Sequence, residues 1–137
     1  MAYLALFTSA FLSATVLPFA SEVGLAAVVR LDRTVVLPVL VATAGNYLGA
    51  CTTYLLGNAA ARAIDRTKVR RRSESIALRL IRRFGAPALL LSWLPFVGDV
   101  IVGLAGAVRM PFAVFSIYTI IGKALRYTVV AWLTMAV

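Results

Sequence analysis

Leu17–Val23 reads LPFASEV, and Leu94–Val100 reads LPFVGDV. Each stretch sets a proline and, four residues later, an acid inside an otherwise apolar run, and the two lie 77 residues apart. Proline removes a backbone donor and disrupts the helix behind it. In hydrocarbon, broken backbone is tolerated only where it is buried in protein or lines a wet cavity. An acid at the centre of a span costs about 2.5–3.5 kcal/mol on insertion scales. A chain that accepts both costs twice, at one spacing, uses the place. The repeat therefore predicts two units, each opening with a helical hairpin that dips into the membrane and turns near Pro18 or Pro95, with Gly98 beside the second turn.

Composition sets the surroundings of these phrases. Hydrophobic residues make up 62% of the 137, and the mean hydropathy is +0.94. A soluble domain must cover its surface with polar groups and rarely reaches such values. Four runs are almost free of charge: Met1 to Val29 with only Glu22, Thr34 to Ala61 with none, Gly85 to Val108 with only Asp99, and Pro111 to Val137 with Lys123 and Arg126. Each is long enough for a span of about 20 residues. The reading is a single all-α integral membrane domain over 1–137. The segment before Glu22 has no basic start and is followed by similar runs, so a cleaved signal peptide is not expected. Cys51 is the single cysteine and there is no histidine, which leaves no internal disulfide and no His-based metal site or general base. No metal, cofactor or enzyme activity is expected.

The offset of 77 continues without a gap beyond the repeated phrase: Gly45 meets Gly122 and Asn46 meets Lys123. The expected organisation is a first repeat over about 1–60, a basic linker helix over about 61–84, and a second repeat over about 85–137. A re-entrant hairpin returns to its starting side and the span after it crosses. Two copies of hairpin plus span are then inverted relative to each other, as in many secondary transporters with a site near the midplane.

The formal net charge is +9, and much of it lies in the linker. Arg70, Arg71, Arg72, Arg79, Arg82 and Arg83 stand among Ile76, Leu80 and Phe84, which recur at helical spacing. This is the pattern of an amphipathic helix lying on anionic headgroups, and also of a cytoplasmic loop obeying the positive-inside rule. Membrane lipids are the expected partner, nucleic acid is not, and self-association into a homo-oligomer stays open. Gly45 and Gly49, four apart, permit close helix packing.

Lys123 and Arg126 stand mid-run at i and i+3, on one helix face, with Tyr127 beside them. Too far from either end to snorkel, they are expected to face inward and pair with Glu22 and Asp99. Arg109, at the break before Pro111, is counted with them as an anion or ion-pair candidate.

FLSATVLPFASEV, GNYLG, RRFGAPALLLSWLPFVGDVIVGLAGAVRM and GKALRY together resemble the DedA (VTT, or SNARE-associated Golgi protein) superfamily, and within it the short YqaA-like bacterial branch. The resemblance spans nearly the whole chain. It implies a multi-pass bacterial inner-membrane protein with two opposed re-entrant hairpins, moving lipids or polyprenyl-phosphate carriers across the bilayer, with proton coupling in some members. It also implies that Glu22 fills the place of the first hairpin's acid. Two departures stand out. Phe11, Leu12 and Ser13 lack the further acid that many members carry before the first proline, and Trp93 and Asp99 stand where a pair of arginines is expected.

The expected function is a lipid or lipid-phosphate translocator (flippase- or scramblase-like). In it Glu22 and Asp99 would exchange protons or ions, and Lys123, Arg126 and Arg109 would meet an anionic headgroup. The alternatives are a small proton-coupled exporter of cationic drugs and a non-transporting structural or assembly subunit.

Overall fold

The structure, a computed structural model, describes residues 1–14, 19–63, 76–94 and 96–137. Pro18, Pro95, Arg70, Arg71 and Arg72 lie outside the described residues. The chain is built from α1 (Ala2–Ser13), α2 (Ala20–Asp32), α3 (Val36–Ala63), α4 (Ile76–Phe84), a 3-10 helix (Ala86–Trp93), α5 (Val97–Ala107) and α6 (Phe112–Ala136). Among the described residues every element is helical.

Among the described residues, two helices are long and apolar enough to cross a membrane, α3 and α6. The first and third apolar runs are each divided. The first becomes α1 and α2, and these fold back on one another: Tyr3 OH at the start of α1 donates to the Asp32 carboxylate at the end of α2. A helix of 12 residues extends about 18 Å, well short of a hydrocarbon core of about 30 Å. Neither arm could span alone.

The third run becomes the 3-10 helix and α5. A 3-10 run of eight residues is unusual. Pro87, in its first turn, lacks an N–H, and Gly85 just before it takes φ +64°. The 3-10 helix rises about 2.0 Å per residue against 1.5 Å for α, so the short arm reaches further than an α-helix of the same length. Phe96 follows with φ +64°, a conformation a residue with a Cβ rarely adopts. The backbone at Phe96 is thus held under strain.

α1 packs on α3 and the 3-10 helix packs on α6, while α2 reaches across to α6 and α5 to α3. Glycines set how close these contacts come. A Cβ on Gly45 would lie 2.5 Å from the Phe7 carbonyl oxygen, and one on Gly49 would lie 2.6 Å from that of Phe11. The expected close approach at Gly45 and Gly49 is therefore made, against α1. The tightest crossing, α3 on α5, was not anticipated: a Cβ on Gly57 would lie 2.0 Å from the Gly103 oxygen, and one on Gly106 would lie 2.0 Å from the Tyr54 oxygen.

Two apolar cores result. One gathers Leu6, Leu25, Val29, Ala42, Tyr127 and Ala131. The other gathers Tyr54, Ile81, Leu89, Ile101, Val102 and Phe115. Tyr54 stacks on Phe115 with ring centroids 4.5 Å apart and donates its hydroxyl to the Met110 oxygen, fixing the start of α6 against α3. α4 contributes Ile81 to the second core and leaves Arg79, Arg82 and Arg83 exposed.

Candidate functional site

Polar groups collect about half-way along α3 and α6, where Asn46 meets Lys123. Lys123 is 2% exposed, and its ammonium donates to Asn46 Oδ1. The Asn46 amide nitrogen reaches Tyr127 OH and, at 3.3 Å, Ser13 Oγ on α1. One asparagine side chain therefore ties the end of α1 to the middle of α3 and of α6.

One turn further along α6, Arg126 pairs with Glu22 of α2, with Nε 2.9 Å from Glu22 Oε1 and one terminal nitrogen on the same oxygen. The Arg126 side chain is 10% exposed and that of Glu22 28%. The ion pair is largely dry, and its geometry lets the guanidinium place two donors on one carboxylate. Glu22 stands in the first turn of α2, where the helix dipole also favours an acid.

Asp99 stands at the corresponding place in the first turn of α5 and is half-buried. It interacts electrostatically with both Lys123 and Arg126. Among the described residues, however, its carboxylate makes no direct salt bridge.

Glu22, Asp99, Lys123 and Arg126 are thus brought together at one centre, with one correction to the expected pairing. Arg126 takes an acid, whereas the partner of Lys123 among the described residues is the neutral amide of Asn46. Helical phase decides this: i and i+3 lie on one face of α6 but point toward different neighbours, α3 for one and α2 for the other. Arg109 is not brought in; it lies exposed beyond α5 with φ +56°. Gly98 lies inside the first turn of α5 and not in the turn before it. Its missing side chain lets the Ser92 backbone pass, since a Cβ there would lie 2.6 Å from the Ser92 oxygen. Asn46 and Ser13 were missed as site residues. The signal for Asn46 was its place opposite Lys123 at the repeat offset; Ser13 gave none.

The two copies of the repeated phrase also meet. The rings of Phe19 and Phe96, each following its proline, lie edge to face with centroids 5.9 Å apart.

The VTT domain model matches residues 17–135. The chain belongs to the VTT domain (DedA) family. Among curated relatives of this VTT protein, the inner membrane protein YqaA of Escherichia coli is 44% identical over 132 residues, covering 95% of this chain and 89% of the relative. The inner membrane protein YqaA of Shigella flexneri matches to the same extent. An uncharacterised protein of Haemophilus influenzae is 39% identical over 137 residues, covering 94% of this chain and 85% of the relative. No solved structure matches. The protein is a VTT family membrane protein, and two helices among the described residues are long and apolar enough to cross a bilayer.

Proposed function

We propose that this VTT protein moves lipid or lipid-phosphate across the bacterial inner membrane, as two inverted units of re-entrant hairpin plus span. The observation that carries the reading is the convergence of Glu22, Asp99, Lys123 and Arg126 in the interior of an apolar chain. Intramembrane ionisable groups are expensive and mark pathways for ions or charged groups. The inner membrane is taken from the names of the relatives.

The inverted repeat draws support from two contacts. Phe19 touches Phe96 and Asn46 touches Lys123, and in each pair a residue meets its own counterpart at the offset of 77. Residues on a two-fold axis contact their own mates. α2 and α5 also begin 77 residues apart, at Ala20 and Val97. In this reading Glu22 and Asp99 exchange protons while Lys123 and Arg126 meet the headgroup. The exposed arginines of α4 rest on anionic lipid.

The test is transport in proteoliposomes holding the full chain, with fluorescent phospholipid in one set and a polyprenyl phosphate in the other, with and without a pH gradient. The wild type should clear one or both from the outer leaflet, and Glu22→Gln should slow this at least tenfold. Wild-type rates in folded Glu22→Gln and Asp99→Asn proteins would sink the proposal.

A further inference from the structure

Among the described residues, four buried hydroxyls have no hydrogen-bond partner: Ser21 Oγ, Thr43 Oγ1, Ser92 Oγ and Thr119 Oγ1. Each is more than nine-tenths buried. Leaving such a group unsatisfied costs about 1–3 kcal/mol, and in hydrocarbon the loss cannot be recovered from solvent. Two of the four surround the site. Thr119 lies one turn before Lys123 on the buried face of α6. Ser92 lies between α5 and α6: its backbone oxygen would be 2.6 Å from a Cβ on Gly98, and its hydroxyl 2.7 Å from one on Gly122. Gly98 precedes Asp99, and Gly122 precedes Lys123. Ser92 therefore packs against the residue that precedes each charge in the chain.

The charges show the same gap. Asp99 and Lys123 act on each other electrostatically, yet no direct salt bridge joins them among the described residues. The Lys123 ammonium has three N–H donors, and one acceptor, Asn46 Oδ1, among the described residues. A buried charge this thinly solvated by protein is costly. Opposite charges that interact without contact ask for a molecule between them. It must accept from an ammonium and donate to a carboxylate while also serving hydroxyls. It must also be small, because side-chain and backbone atoms approach closely around Gly98 and Gly122.

We propose that an internal water site, bound by the hydroxyls of Ser92 and Thr119, bridges Asp99 to Lys123. Buried waters typically make about two to four hydrogen bonds to polar groups, and Ser92, Thr119, Asp99 and Lys123 offer that many partners. The bridge joins the acid of the second hairpin to the lysine of the last helix, making them one unit. Glu22 and Arg126, by contrast, are joined directly. The inference stands on this geometry and does not require transport.

The test uses detergent-solubilised full chain and two readouts. The chain has two lysines, Lys68 and Lys123, so lysine-selective 15N labelling with Lys68→Arg leaves the Lys123 ammonium as a single side-chain signal. That signal should show magnetisation transfer from water, weakened by Thr119→Val and by Ser92→Ala. Thr119→Val, which is isosteric, should lower Tm by a few degrees, while Thr119→Ser keeps the wild-type Tm. If the hydroxyl truly stands alone, Thr119→Val removes a buried unpaired polar group and Tm stays or rises. That outcome, or the absence of water transfer to Lys123 in the wild type, overturns the proposal.

Discussion

Lys123 and Arg126 are one helical turn apart and are held in different ways. Arg126 makes a direct, largely buried ion pair with Glu22. Removing one partner of a buried pair leaves the other charge uncompensated, which costs about 3–5 kcal/mol, whereas replacing both is far less costly. Arg126→Met is therefore expected to destabilise by about 3 kcal/mol, and Glu22→Gln by less, because Glu22 is the more exposed of the two. The double variant should be more stable than the sum of the two losses implies, as read by thermal unfolding in detergent. Lys123 depends on Asn46, which also holds Tyr127 and Ser13. Asn46→Leu strands a buried ammonium and should cost about 3–5 kcal/mol. Adding Lys123→Met should recover much of that in the same assay. Recovery by Lys123→Met identifies the stranded charge as the cause, and no recovery would point to lost packing instead.

At the scale of elements, the position of a glycine matters more than its presence. Gly57 and Gly106 lie where α3 and α5 cross, and a Cβ at either would meet backbone oxygen at 2.0 Å. Backbone cannot rotate aside, so the two helices would have to separate. Gly57→Ala and Gly106→Ala should each cost at least about 1–3 kcal/mol, in the range of overpacked cores. Gly103 belongs to the same crossing, but a Cβ there would meet only the Thr53 methyl at 3.7 Å, an ordinary contact. Gly103→Ala should be neutral or stabilise by up to about 1 kcal/mol through helix propensity. Unfolding midpoints of the three variants, measured side by side, check this ordering. The divided runs also belong to this scale. Hydropathy sees one apolar stretch from Met1 to Val29, and the prolines gave the sign that it breaks. That Ala86–Trp93 would be 3-10 and not α was not legible, because Ser92 and Leu89 lie against Gly98 and Gly122 on helices later in the chain.

For the whole molecule, the decisive quantity is the side of the membrane on which each connection lies. With inverted units, single cysteines at positions 31 and 137 should label from outside and those at 74 and 109 from inside, in a Cys51→Ala background. Four plain spans would instead put 109 outside and 137 inside. The crossed packing of α2 on α6 and α5 on α3 adds a second expectation at this scale. Cysteines replacing Phe19 and Phe96, joined by a short bifunctional thiol reagent, should cross-link within one chain. A dimer band on a denaturing gel would show that the phrases meet between two chains.

The sequence alone determined the class of molecule, because the hydrophobic content and the near-absence of charge in four long runs leave a membrane as the only solvent that fits. It also determined where the residues of interest lie, because proline and acid inside apolar runs carry a cost that shows without coordinates. Only the tertiary structure decided who meets whom. Helix phase turned Lys123 toward Asn46 and Arg126 toward Glu22, and close approach at Gly57, Gly98 and Gly106 set how closely α5 packs on α3 and on the 3-10 helix. Pairing depends on distances between elements far apart in the chain, and these follow from how the surfaces of all the helices fit at once.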